Sequence, residues 1–283
     1  MSAPAGPLHK HEFLLRRLHS LSGILPIGVF LIAHLTTNST ILWGTANTRA
    51  GDDPFQRRVA TFQEEVTFLN GLPALLLIEV TLWLSILFHA VLGVYYLRTG
   101  RGNLASHPYS HNWRYSLQRF TGYFSILFIF YHLATLRWGW SFLVPGGAQW
   151  SQHYAASTLA QALQGSSDGY TAAGLAISIF YFVGVSCVVF HFANGLWTAA
   201  ITWGLTVSRP AQKRWGYVCT AMGFALMGMA WASVIGFATL DPADARSVES
   251  RLIGESPADL LPGVADHTVG FEHVSEPSQR DGG

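Results

Sequence analysis

Between Arg17 and Arg49 the chain contains no Asp, Glu, Lys or Arg, and the same is true from Arg119 to Arg137, from Asp168 to Arg209 and from Arg214 to Asp241. A further apolar run, Leu72–Leu97, holds one acid, Glu79. About 20 apolar residues of helix cross the hydrocarbon core of a bilayer. In lipid the backbone has to satisfy its own N–H and C=O groups, so such runs fold as helices. The expectation is an all-α integral membrane protein with five transmembrane helices, near Leu21–Trp43, Leu72–Leu97, Phe120–Leu143, Tyr170–Leu205 and Trp215–Leu240. Two shorter elements, near Pro54–Phe68 and Gln149–Gln164, read as interfacial helices.

Residues 1–240 then make one transmembrane helical domain. The remainder, 241–283, is acidic and contains Pro242, Pro257, Pro262 and Pro277. It reads as a mostly irregular extramembrane tail. A net charge of +1, with the basic residues gathered at helix ends, gives no footprint for nucleic acid. With the N-terminus in the cytoplasm, the cytoplasmic segments carry Lys10, Arg16, Arg17, Arg98, Arg101, Arg114, Arg119, Arg209, Lys213 and Arg214 against the single acid Glu12. The positive-inside rule thus predicts a multi-pass protein of the cytoplasmic (inner) membrane, N-terminus inside and C-terminus outside. Cys187 and Cys219 lie within apolar runs and read as buried thiols. The first apolar run is too long for a cleavable signal and follows two arginines.

The first four apolar runs each carry one central histidine: His34, His89, His132 and His191. An imidazole in lipid needs a partner, and a metal is its commonest strong one. A rise of about 1.5 Å per residue sorts them by depth. His34 lies roughly 14 Å below Trp43 and His132 roughly 12 Å below Trp140, whereas His89 lies roughly 24 Å from Pro73 and His191 roughly 31 Å from Tyr170. The first and third spans therefore share an outer level, and the second and fourth an inner one. In an up-down bundle these are diagonal partners. The first four helices are thus expected to form a dihaem bundle, with His34 and His132 on one iron and His89 and His191 on the other. Bis-histidine ligation leaves no open position, which favours electron transfer over oxygen activation. The competing view, four separate helix-to-helix hydrogen bonds, does not account for the two matched depths.

These segments resemble the cytochrome b membrane subunit of succinate dehydrogenases and fumarate reductases, in the single-subunit, five-helix, dihaem type. The likeness runs over about Phe13–Leu240 and is carried by RRLHSLSGILPIGVFLIAHL (Arg16–Leu35), LPALLLIEVTLWLSILFHAVLGVYY (Leu72–Tyr96), QRFTGYFSILFIFYHL (Gln118–Leu133) and FHFANGLWTAAITWGLTVS (Phe190–Ser208). The resemblance implies two haem b groups, distal on His34 and His132 and proximal on His89 and His191. It also implies a flavoprotein subunit, an iron–sulfur subunit on the cytoplasmic face, and quinone, commonly menaquinone, as the electron acceptor. It does not extend to the glutamate that some fumarate reductases carry two residues before the fourth ligand; here that residue is Val189.

Haem propionates need cationic or hydrogen-bonding partners at the membrane boundary. Arg17, His19, Ser22, Arg119 and Tyr123 are placed for this, with Asn194, Trp197 and Lys213 as further candidates. Gly23, Gly28, Gly93, Gly122 and Gly195 lie on ligand-bearing helices and permit close approach. Glu64, Glu65 and Glu79 are the candidates for proton handling at a quinone. Asn38, Trp43 and Phe62 are candidates for its lining, while His107 and His111 fall in a cytoplasmic loop. Two other functions compete: the dihaem anchor of a hydrogenase, formate dehydrogenase or nitrate reductase, and a haem-free transporter relaying protons through the histidines.

Overall fold

The computed structural model describes residues 11–45, 53–99 and 112–254. The described residues are helical throughout apart from turns and two short 3-10 segments, Ser141–Leu143 and Pro145–Gly147. In chain order the helices are α1 (Glu12–Ile24), α2 (Pro26–Trp43), α3 (Pro54–Asn70), α4 (Leu75–Thr99), α5 (Asn112–Leu136), α6 (Ala155–Gln164), α7 (Ala172–Thr202), α8 (Arg209–Ala238) and α9 (Pro242–Ile253). His107, His111 and residues 255–283 lie outside the described set.

Four of these are long and apolar enough to cross a membrane: α1 with α2 as one path, α4, α7 and α8. Pro26 starts α2 directly after α1, because proline cannot donate to the helical ladder yet fits a first helical position. The third expected span, α5, is a continuous 25-residue helix. It does not join the other four because its opening turns carry Arg114, Gln118 and Arg119. The expectation of five spans is thus met by four helices on composition, with α5 as a more polar companion.

Around the bundle, the α1/α2 path touches α4, α4 touches α5, α5 packs on α7, and α7 returns to α1. The diagonals of this ring are α1/α2 with α5, and α4 with α7. Outside it, α8 lies along α7 and α2. One end of the bundle carries Arg16, Arg17, Arg98, Arg114 and Arg119 and is called the basic end below.

At the other end α3, α6 and α9 form a cap. Its centre is as dry as that of a water-soluble domain: Val59, Ala60, Ala155, Ala160 and Ala245 have no exposed surface. The two interfacial elements expected from sequence are α3 and α6. The expected irregular tail, by contrast, opens with a helix, α9. Asp241 caps it by accepting from Ala243 N and Asp244 N, Pro242 occupies its first turn, and Gly254 ends it at φ 80°. The composition of the tail obscured this, because prolines and acids also mark helix starts.

The cap is locked by side chains that finish other helices. Tyr154, before α6, offers no capping side chain. Instead Gln63 on α3 accepts from Ala155 N (3.0 Å), and Glu249 on α9 accepts from Ala156 N (2.6 Å) and Ser157 Oγ (2.5 Å). Gln164, closing α6, donates to the carbonyl of Ala238 at the end of α8 (3.2 Å) and to that of Leu240 just past it (2.6 Å). Each lock satisfies backbone groups that a helix end leaves orphaned.

Candidate functional site: two histidine pairs in the bundle

The four histidines of the long helices meet across the two diagonals. His34 on α2 faces His132 on α5, with ring centroids 5.8 Å apart and planes at 82°. His89 on α4 faces His191 on α7, with centroids 6.2 Å apart and planes at 87°. All four are half-buried. The first will be called the cap-end pair and the second the basic-end pair.

Each Nδ1 has a polar neighbour. His89 Nδ1 donates to the His19 carbonyl (2.9 Å), and His191 Nδ1 to the Gln118 carbonyl (3.1 Å). A carbonyl only accepts, so these bonds place the proton on Nδ1 and leave the Nε2 lone pair for another partner. At the cap end the neighbours are side chains. Asn38 Nδ2 lies 3.4 Å from His34 Nδ1, and Tyr181 Oη lies 3.5 Å from His132 Nδ1. The Asn38 amide nitrogen only donates and its shorter bond is to the His34 carbonyl (2.7 Å), so its longer contact places no proton on His34 Nδ1; the Tyr181 hydroxyl serves either as donor or as acceptor and leaves the His132 tautomer open.

The basic-end rings also sit against glycine. A Cβ on Gly23 would come within 2.6 Å of His89 Cε1, and one on Gly122 within 2.9 Å of His191 Cε1. Each glycine stands four residues after the carbonyl that accepts from the same ring: His19 with Gly23 on α1, and Gln118 with Gly122 on α5. The sequence segments HSLSG and QRFTG thus form matching cradles, one carbonyl and one bare Cα each.

These residues fit haem. Two imidazole nitrogens on one metal at about 2 Å each place the ring centroids about 6 Å apart, as both pairs are. Among the described residues no group of three or more His, Cys, Asp or Glu converges, so each pair could offer a metal two imidazoles and no further protein ligand, as a haem would require. At the basic end Arg17 Nε, His19 Nδ1 and Tyr96 Oη are buried without a hydrogen-bond partner among the described residues. Leaving such groups unpaired costs about 1–3 kcal/mol each. They are donors, which suits carboxylate ligands.

Other expected propionate residues are placed as follows. The His19 ring stacks on His89 at 4.0 Å and 14°, and the Arg17 guanidinium lies over the Phe13 and Trp203 rings. Ser22 Oγ donates to the His19 carbonyl and stands 3.4 Å from His89 Nδ1. Arg119 already donates to the Leu97 carbonyl and to Tyr115 Oη, tying α5 to α4. Tyr123 is exposed. Trp197 donates to the Gln212 carbonyl, bracing α8, and Asn194 donates to Gln118 Oε1. Tyr96 was not singled out from sequence. Its only signal there is its place at the basic end of α4.

The three candidate acids separate clearly. Glu79 pairs with Arg137 through two bonds of 3.0 Å, an α4-to-α5 tie at the cap end. Glu64 lines a cavity of about 410 Å³ with Gln63, Thr67, Val248 and Arg251. Glu65 reaches α2, where Thr37 hydrogen-bonds its carboxyl; burial nevertheless pushes its pKa above the ordinary carboxylate range. Thr37 adjoins Asn38, the neighbour of His34.

The chain is 32% identical over 227 residues to the succinate dehydrogenase cytochrome b558 subunit of Bacillus subtilis (strain 168), an alignment covering 80% of this chain and 97% of that relative. It belongs to the family of succinate dehydrogenase cytochrome b subunits. No family model matches the chain. Membership agrees with the resemblance drawn from the four histidine-bearing motifs. A cytochrome b subunit of this family is a membrane component of an enzyme complex, which accords with the four helices able to span a bilayer.

Proposed function

We propose that the chain is the haem-carrying, quinone-reactive anchor of a succinate:quinone oxidoreductase. His89 and His191 hold one haem b, and His34 and His132 the other. When bound, each haem supplies one-electron transfer at an iron with no open coordination position. The observation that carries this reading is the meeting of four intramembrane histidines as two diagonal pairs, each Nδ1 engaged by the protein.

The chain's own residues divide the work. The His19 and Gln118 carbonyls hold the basic-end rings with Nε2 directed away from them. Arg17, His19, Ser22 and Tyr96, with Arg119 and Tyr123 nearby, offer donors for propionates. At the cap end Glu65, beside Thr37, holds a proton for quinone chemistry near His34. Glu79 is committed to Arg137 and serves to position α4 against α5. The basic end faces the cytoplasm by the positive-inside rule and receives the iron–sulfur subunit, which in turn carries the flavoprotein. The C-terminal segment then lies outside, with α5 as the fifth span. Menaquinone is the proposed acceptor and succinate oxidation the proposed direction.

Membership of this family favours this reading over the anchor of a hydrogenase, formate dehydrogenase or nitrate reductase. The test is purification of the complex from native membranes, with a reduced-minus-oxidised spectrum and succinate–menaquinone assays with and without an uncoupler. Two low-spin b haems reducible by succinate are expected. A haem-free preparation overturns the reading and returns the proton-relay transporter.

A further inference from the structure

The two basic-end histidines are held by matching carbonyls, but at only one of them does the residue that holds the ring also bond the histidine's backbone through its side chain. Gln118 meets His191 at two points. Its main-chain carbonyl accepts from His191 Nδ1 (3.1 Å), and its side-chain Nε2 donates to the His191 carbonyl (3.1 Å). One residue thus binds both the ring and the backbone of the same histidine. The side chain is itself held: Asn194, three residues after His191 on α7 and 5% exposed, donates through Nδ2 to Gln118 Oε1 (2.8 Å).

We infer that Gln118 and Asn194 form a positioning pair that sets the rotation and height of His191 at its metal. The argument rests on the proposed haem ligation and adds the residues that tune it. The ring of a histidine turns about χ1 and χ2. Fixing its Nδ1 to a carbonyl leaves the distance between α5 and α7 free to vary, and the ring follows. The Gln118 side chain removes that freedom by tying the same residue of α5 to the backbone of α7. Asn194 then prevents the glutamine amide from swinging away. At His89 the arrangement differs: the His19 side chain stacks on the ring with its own Nδ1 unpaired among the described residues, and Ser22 Oγ stands 3.4 Å from the His89 ring rather than bonding its backbone. The inference is therefore specific to one ligand of one pair. Neither amide touches the paired ring face, so both are positioning residues.

Outer hydrogen-bond partners of metal-bound histidines typically change affinity or activity roughly 10–100-fold when removed. The experiment uses the complete complex carrying Gln118→Leu or Asn194→Ala. It reads haem content, the midpoint potential of each haem, and the low-field ferric EPR line, which follows the angle between the two imidazole planes. The expected result is retention of both haems, with the redox equilibrium of one displaced roughly tenfold in Gln118→Leu, about 59 mV for a one-electron couple. Its EPR line should move and that of the other haem should not. Asn194→Ala should move the same haem in the same direction by less, and the double variant should match Gln118→Leu alone, because Asn194 acts through Gln118. Should Gln118→Leu fail to assemble, Asn194→Ala decides the matter alone. Unchanged potentials and EPR lines overturn the inference, as does movement of the haem that His34→Ala removes. A wild-type complex without two b haems defeats the ligation itself, a distinct outcome.

Discussion

The two histidine pairs are built from different materials. At the basic end the rings rest on backbone: carbonyls of His19 and Gln118 accept from Nδ1, and Gly23 and Gly122 leave room for the ring edges. At the cap end the rings lean on Asn38 and Tyr181 side chains at longer range. They also sit in an aromatic surround, with Phe128 5.9 Å and Tyr181 6.0 Å from His132. Backbone supports hold whatever the residue type, so outside the Gln118–Asn194 brace that geometry is insensitive to most substitutions but intolerant of any Cβ at the two glycines. Side-chain supports can be removed one at a time. The basic-end pair thus rests on backbone and sterics with one side-chain brace at His191, and the cap-end pair on side chains alone.

The largest expected effect comes from the proposed haem ligands themselves. His191→Ala should remove one of two haems and lower succinate–quinone electron transfer by more than about 100-fold, beyond what loss of an outer partner costs. His132→Ala should remove the other haem. Haem quantification per complex checks this, and loss of the same haem in both variants would dissolve the two-pair division.

The glycine cradles come next. Gly23→Ala and Gly122→Ala should each force the facing ring to shift, at about 1–3 kcal/mol of overpacking. The shift should appear as weakened retention of the basic-end haem during thermal denaturation. A fully stable basic-end haem in both variants would show that the close ring contacts do not constrain it.

Smaller changes belong to the cap end. Tyr181→Phe removes a polar neighbour worth about 0.5–1.5 kcal/mol and leaves ring packing intact. Redox titration should show the cap-end midpoint moving by less than tenfold in its equilibrium, with the basic-end midpoint still. Movement of both would mean that the pairs are not independent.

The effect with the least bearing on the histidine pairs concerns the cap. Glu249 has no exposed surface, and burial outweighs its bonds from Ser157 and Ala156 to push its pKa up to about 7. A folded-state pKa above the free value means that docked α9 prefers the protonated acid. This contribution is fully present below the ordinary carboxylate range and is lost as pH rises to about 7, on the order of 3 kcal/mol at most. Arg246, the nearby cation, stacks on Tyr154 and opposes the shift. Hydrogen exchange in α9, corrected for intrinsic rate, should be faster at pH 8 than at pH 5. Glu249→Gln should flatten that difference, and an unchanged pH dependence would rule out Glu249 as its source.

Much of this was legible before any coordinates. Charge-free runs marked the long helices because lipid admits few ions. One histidine per run, read at about 1.5 Å per residue, gave the diagonal pairing because depth along a helix is a linear function of position. The rotation of each helix about its own axis was not legible. That rotation directs Glu79 to Arg137, sets Gln118 and Asn194 behind His191, and turns Glu249 into the end of α6. These contacts join residues 58, 73, 76 and 93 positions apart. Local propensity and period determine which segments are helices and how deep each residue lies; only packing, which settles every helix against several others at once, decides which side chains meet.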